Sequence, residues 1–360
     1  MSPKGYFGLV LAVAALAAGC TRKSFSEPLK LADKVDAEGN AVPNSGEVLS
    51  AQLLTDGYEA YMMYCYACHG EKGDGHGPSA ATMRPPPRNF GRGLFKFPGT
   101  AFGQLPVDAA LDRTLRRGLH GTPMLPWDIP AVERKALIAY LKTLSPRWTE
   151  EGVPPEIQIA PDPWAGKKDE AIALGSRVYH VAVGGAGCSG CHRAYETKQK
   201  IYEMSLQADP TSPVTEFSEE MYRSSLKASE YPIAYDEAGE PTKTHQLLPP
   251  DFLFHPVKTA YPVGTEVNEG DYNYVAYTEA MQREDLYRTI GVGIGGAAMP
   301  GWKGVLEEDK LWALVYYVQS LVQLRGTDGA YELQKKLEAQ PPFAPPAPPP
   351  APEGAPAPTP

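Results

Sequence analysis

The sequence predicts an all-α fold arranged as two tandem helical domains. Helical patterns begin near Ala51, Val107 and Ala131, and the last two recur further along the chain. The segment LDRTLRRGLHGTPMLPW matches LYRTIGVGIGGAAMPGW at a constant offset of 175, and ALIAYLKTL recurs as ALVYYVQSL. A repeat of this length indicates a duplicated domain rather than a solenoid of short units. The proline-rich stretch 146–163 is the expected boundary between the two copies.

We expect five parts along the chain. They are a lipoprotein signal peptide at 1–20, a tether at 21–50, a first domain at 51–150, a second domain at 151–330, and a disordered Pro/Ala-rich tail at 331–360. The second domain has about fifty more residues than the first. We assign these residues to a long irregular insertion at 193–248, which could cover a cofactor edge, dock a partner or have no function.

The N-terminus has the features of an export signal. Lys4 precedes an apolar run from Tyr6 to Ala18, which is too short to span a bilayer as a mature helix. The residues from Leu16 to Cys20 resemble a bacterial lipobox, which predicts a lipid on Cys20. A cleaved signal that removes Cys20 is the alternative. We expect a body on the periplasmic side of a bacterial membrane, held there by the lipid.

The stretch CYACHG carries the clearest chemical signal. Cys65 and Cys68 flank two residues and His69 follows directly, which is the pattern that attaches a c-type haem. The thiols form thioether bonds to the porphyrin, and the imidazole binds the iron. The same pattern returns at Cys188, Cys191 and His192. The sequence therefore predicts two covalently bound haem c groups, and a zinc site remains the weaker alternative.

Two methionines occupy equivalent positions in the repeat. Met124 and Met299 each lie in the glycine- and proline-containing loop after a predicted helix, and we expect them to be the second axial ligands of the irons. Packing against the porphyrin is the alternative role. The rival ligands in the second domain are His180, His245 and His255.

Both halves resemble class I cytochrome c domains, over roughly 51–147 and 170–325. The shared order is an N-terminal helix, the Cys-x-x-Cys-His motif, a glycine-rich loop, a methionine loop and a C-terminal helix. The resemblance implies a carrier of single electrons between membrane respiratory complexes and periplasmic acceptors, and no enzyme activity. One alternative is a dihaem peroxidase-like enzyme, although the matched methionine loops argue against an iron whose sixth position opens. The other is a fixed cytochrome subunit of a larger oxidoreductase complex.

The charge is unevenly distributed along the chain. The net charge is −9. Residues 51–150 contain 12 Lys and Arg against 9 Asp and Glu, whereas residues 151–330 contain 15 against 26. This asymmetry could orient charged redox partners, and an ordinary solvated surface is the alternative. The acidic total disfavours nucleic-acid binding.

Overall fold

The computed structural model describes residues 23–83, 85–119, 122–181, 187–222, 251–254, 266–267, 274–275, 279–296 and 299–346. The described residues are mostly helical, and their strands form two short antiparallel pairs, which confirms the predicted all-α class. Within the described parts of the chain, no helix combines the length and apolar character needed to cross a membrane.

The chain divides into two compact units. The first contains the described residues up to Gln158, the few described between 260 and 278, and the segment Val292–Pro300. Its helices are α1 Ala51–Tyr64, α2 Tyr66–His69, α3 Asp108–Arg117, α4 Ala131–Leu141 and α5 Arg147–Glu150. Its strand pairs are β1 Leu29–Lys30 with β2 Val48–Leu49, and β3 Glu266–Val267 with β4 Tyr274–Val275. Short 3-10 turns span Ala80–Thr82, Phe90–Arg92 and Lys142–Leu144.

The first unit is built on the crossing of α1 and α4. Ser50 starts α1, because its hydroxyl accepts a hydrogen bond from the Leu53 N–H at 3.2 Å. At the crossing, a Cβ on Gly57 would lie 2.0 Å from the carbonyl oxygen of Ala136, so only glycine permits this approach. The rings of Tyr61 and Tyr140 pack beside it with centroids 5.1 Å apart. The crossing places the end of α1, where the first cysteine motif begins, against the core.

The structure corrects the tether predicted at 21–50. Residues 23–50 pack on the first unit, where β1 pairs with β2 and both Leu31 and Leu49 are buried in the core. The backbone N–H of Ala32 also donates to the carbonyl of Trp148 at 3.0 Å. The polar, turn-rich composition predicted a solvated linker, but scattered apolar side chains in this stretch are enough to bury it. Cys20 lies outside the described residues, and its lipidation stays a prediction.

The second unit repeats the same crossing with different helices. It contains the described residues from Ile159 to Phe254, residues 279–291 and those from Gly301 onward. Here a Cβ on Gly175 would lie 2.0 Å from the carbonyl oxygen of Ala313. Its helices are α6 Lys168–His180, α7 Lys198–Ala208, α8 Glu279–Val292, α9 Glu308–Leu324 and α10 Asp328–Glu338, with 3-10 turns at Cys188–Gly190 and Glu219–Tyr222.

Two further segments differ from expectation. Helix α7 lies inside the insertion predicted to be irregular, and it buries Ile201 and Met204 against Val181. Helix α10 continues past residue 330, where a disordered tail was expected, because its sequence is rich in helix-forming residues and it buries Leu337. Residues 223–248 and 347–360 lie outside the described parts of the chain.

Candidate haem sites

The first cysteine motif begins where helix α1 ends. The N–H of Cys65 donates to the carbonyl of Tyr61, and the N–H of His69 donates to the carbonyl of Cys65, each at 2.8 Å. Both Cys65 and Cys68 are free thiols. Burial raises the pKa of Cys65 to about 12 and also raises the pKa of Cys68. The helical turn thus presents two neutral thiols and one imidazole from a single short segment.

The orientation of His69 is fixed by its neighbours. Its Nδ1 lies 3.0 Å from the carbonyl oxygen of Arg88, and since a carbonyl only accepts, Nδ1 carries the proton. The ring stacks on Phe90 with centroids 4.4 Å apart and planes 20° apart. Burial lowers the pKa of His69, which favours the neutral imidazole. The lone pair of Nε2 is therefore available to a metal, as in most histidine ligands of metalloproteins.

A buried hydroxyl supports the peptide that follows His69. Tyr61, which is fully buried, donates its O–H to the carbonyl of Gly70 at 2.6 Å. The bond satisfies a buried carbonyl and connects the middle of α1 to the end of the motif.

Met124 lies in a loop closed by two backbone hydrogen bonds. The N–H of Leu119 donates to the carbonyl of Met124 at 2.8 Å, and the N–H of Trp127 donates to the carbonyl of Leu115 at 3.0 Å. Gly118 has φ +66°, and a Cβ there would lie 2.7 Å from the Met124 carbonyl oxygen. Met124 is half-buried and packs against the same core cluster as Cys65. Its role as an iron ligand stays a prediction.

The second motif is arranged like the first. The N–H of His192 donates to the carbonyl of Cys188 at 2.7 Å, and both Cys188 and Cys191 are free thiols. The His192 ring stacks on Phe252 with centroids 5.4 Å and planes 26° apart. Burial lowers the pKa of His192 to about 4. Among the described residues nothing accepts from its Nδ1; Pro250, the counterpart of Arg88 in the repeat, lies outside them.

Two hydrogen bonds of the first site have counterparts at the equivalent positions of the sequence repeat. Tyr179 donates its O–H to the carbonyl of Arg193 at 2.9 Å, as Tyr61 does to Gly70. The N–H of Ile294 donates to the carbonyl of Met299 at 3.1 Å, as Leu119 does to Met124. Met299 belongs to the segment Val292–Pro300, which is grouped with the first unit. Its pairing with His192 on one iron stays a prediction.

His180 is already engaged within the protein. Its Nδ1–H donates to the Ser176 carbonyl at 2.7 Å, and its Nε2 accepts from the Tyr195 N–H at 3.1 Å. Because both ring nitrogens are used, His180 is not a candidate ligand in this arrangement. The other rivals, His245 and His255, lie outside the described residues.

The donor set fits a covalently attached haem. The thiols and the Nε2 lone pair supply the groups that such a haem needs. In addition, the indole N–H of Trp148 is buried and has no acceptor among the described residues. Trp148 packs on Phe95, which stacks on Phe90 beside His69. An unpaired buried donor in the same core cluster as Cys65 fits a bound group that carries acceptors. Among the described residues, no three His, Cys, Asp or Glu side chains form a group that could hold a metal ion.

Sequence reasoning missed one feature of the second site. Arg193 and Asp251 form a buried ion pair next to His192, with Nη1 and Oδ2 2.5 Å apart. An arginine directly after the motif was visible in the sequence, but its partner lies 58 positions away.

Two comparisons with known proteins found similarity to this chain. Residues 54–145 match the Cytochrome c family. A solved structure from the Kuenenia stuttgartiensis reducing HAO-like protein complex Kustc0457/Kustc0458 is similar, with 25% identity and a TM-score of 0.51 over 74% of this chain and 96% of that chain. No curated protein matches the sequence. Residues 54–145 are therefore similar to cytochrome c domains, a class of domain that binds c-type haem covalently.

Proposed function

We propose that this chain is a dihaem c-type cytochrome that carries single electrons between membrane respiratory complexes and periplasmic acceptors. The observation that carries the proposal is the repeated setting of the two motif histidines. Each histidine ring stacks on a phenylalanine, and in each unit a tyrosine from the N-terminal helix donates to the carbonyl just after that histidine. The family match supports the first site directly. The internal repeat and the structural likeness, which extends well beyond residues 54–145, support the second.

The proposed roles follow from the side chains. In the first unit, the thiols of Cys65 and Cys68 hold the porphyrin, while His69 and Met124 bind the iron. The corresponding residues for the second haem are Cys188, Cys191, His192 and Met299. When bound, the haem iron supplies reversible one-electron chemistry. In the first unit the carbonyl of Arg88 holds the His69 imidazole in one tautomer, and the proposed function needs no catalytic residue.

The proposed location rests on the N-terminal sequence. A lipid on Cys20 would hold the body at the periplasmic side of a membrane, within reach of redox partners. No nucleic-acid partner is proposed, because the chain is acidic overall.

A spectroelectrochemical titration of the full chain tests the proposal. We expect two one-electron steps, low-spin spectra, and a charge-transfer band from methionine sulfur to iron. A high-spin iron that turns over peroxide after reduction would favour the peroxidase-like alternative. A single step would contradict the dihaem assignment.

A second candidate function is that of a fixed subunit in a larger complex. The observation that favours it is the likeness to a chain of the HAO-like protein complex, of which 96% is covered. Extraction of native membranes with mild detergent separates the two candidates. A resident subunit stays with constant partners through size-exclusion chromatography, whereas a carrier elutes alone.

A further inference from the structure

A buried ion pair lies next to the second cysteine motif. Arg193 directly follows His192 and is only 5% exposed, and its partner Asp251 is fully buried. Arg193 Nη1 donates to Asp251 Oδ2 at 2.5 Å. Both charges are removed from water, so each depends on the other for compensation.

Asp251 also organises the backbone that packs on His192. Its Oδ1 accepts from the N–H of Leu253 at 3.1 Å and from the O–H of Tyr195 at 3.2 Å. Phe252 stands between Asp251 and Leu253 in the chain, and its ring stacks on the His192 ring. The carboxylate is therefore fixed close to the proposed iron ligand.

The first unit has the same turn without this ion pair. Gly70 occupies the position of Arg193, and Asn89 occupies the position of Asp251. The Oδ1 of Asn89 accepts from the Gly91 N–H at 2.9 Å, the counterpart of the bond from Leu253 to Asp251. The two sites thus share a backbone arrangement and differ in whether a buried ion pair accompanies it.

We propose that the Arg193–Asp251 pair sets the reduction potential of the haem on His192 separately from that of the haem on His69. This inference rests on the proposed function. A buried cation near an iron stabilises the reduced state and raises its potential, and a buried anion lowers it. Arg193 and Asp251 act through their field and through the position of Phe252, so they are positioning residues.

The first test is Asp251→Asn in the full chain, followed by spectroelectrochemical titration. Asparagine keeps the acceptor for Leu253 and leaves the Arg193 cation uncompensated. We expect the equilibrium constant for reducing one haem to rise about tenfold, which is about 59 mV for a one-electron couple. The other haem should keep its potential.

Two further variants keep the test decisive if the uncompensated charge prevents folding. The double variant R193G/D251N has the residues of the first unit at these two positions. The potential of its haem on His192 should lie below that of the same haem in D251N. Asn89→Asp adds a half-buried anion to the first unit and should lower the potential of the haem on His69. The shift should be smaller than that in D251N, because solvent screens the new charge. Asp309→Asn, on the exposed surface of the second unit, is the control with the same change in net charge and should move neither potential.

The inference is overturned if D251N lowers the second potential, leaves it unchanged or moves both potentials together. If D251N does not fold, an unchanged first potential in N89D overturns it. A wild-type chain with fewer than two haems, measured by intact mass, would overturn the proposed function and this inference with it. Two haems with unmoved potentials would overturn this inference alone.

Discussion

The proton on His69 Nδ1 is held by a backbone carbonyl, and this fixes which nitrogen can bind a metal. The carbonyl belongs to Arg88, 19 residues away, so the segment that follows the prolines at 85–87 supplies the acceptor that orients His69. Sequence patterns identified the histidine from its motif. They could not identify the carbonyl acceptor, because any residue can supply one.

Substitution of Met124 tests the axial ligand at the residue scale. Met124→Ala should lower the potential of one haem and remove about half of the sulfur-to-iron charge-transfer band, because a thioether ligand raises the potential. Met63, which is 72% exposed, provides the control. Met63→Ala should leave both potentials and the band unchanged, and a Met124→Ala protein with an intact band would rule out ligation.

Substitution of Tyr61 tests the buried hydroxyl. Tyr61→Phe leaves the Gly70 carbonyl without its donor and should lower the free energy of unfolding of the first unit by ~1–3 kcal/mol. Tyr64 also uses its hydroxyl, toward Glu133 at 3.0 Å, but it is only half-buried. Tyr64→Phe should therefore cost less, about 0.5–1 kcal/mol. Denaturant titration measures both free energies of unfolding, and equal losses would contradict the greater cost predicted for the buried bond to Gly70.

At the scale of elements, the crossing of α1 and α4 places the start of the first motif, whereas residues 181–187 separate the end of α6 from the second motif. Gly57 and Gly175 permit the two crossings, and each is followed by a tyrosine four residues later. The four-residue spacing puts Gly57 and Tyr61 on one face of α1, which sequence alone indicates. The partner carbonyls of Ala136 and Ala313 could not be predicted, because they come from distant helices.

Alanine substitution at the crossing tests this packing. Gly57→Ala places a methyl group against the Ala136 carbonyl, and we expect a loss of ~1–3 kcal/mol in the free energy of unfolding. Gly175→Ala should have the same effect in the second unit. Gln52→Ala, at an exposed position of α1, should change stability by less than about 0.5 kcal/mol. If Gly57→Ala has the same denaturant midpoint of unfolding as the wild-type protein, α1 and α4 are not in the close contact described.

For the whole molecule, the sequence repeat pairs segments that are helical in both units, such as α4 and α9, and the origin of the two units as tandem copies of one domain stays a prediction. The N-terminal stretch was harder, since its apolar residues have no helical or strand period and their burial depends on the core they meet. The C-terminal helix was missed because Asp328–Glu338 has no counterpart in the repeat. The contact between Arg193 and Asp251 could not be predicted, because the insertion separates the two residues by 58 positions.

The most direct test of the central claim is the number of haems per chain, measured by intact mass spectrometry. The wild-type protein should carry two covalent haem groups. The variants C65S/C68S and C188S/C191S should each carry one, because each removes both thioether bonds at one site while leaving the other motif intact. A wild-type chain without the added mass, or a variant that keeps two haems, would contradict the account.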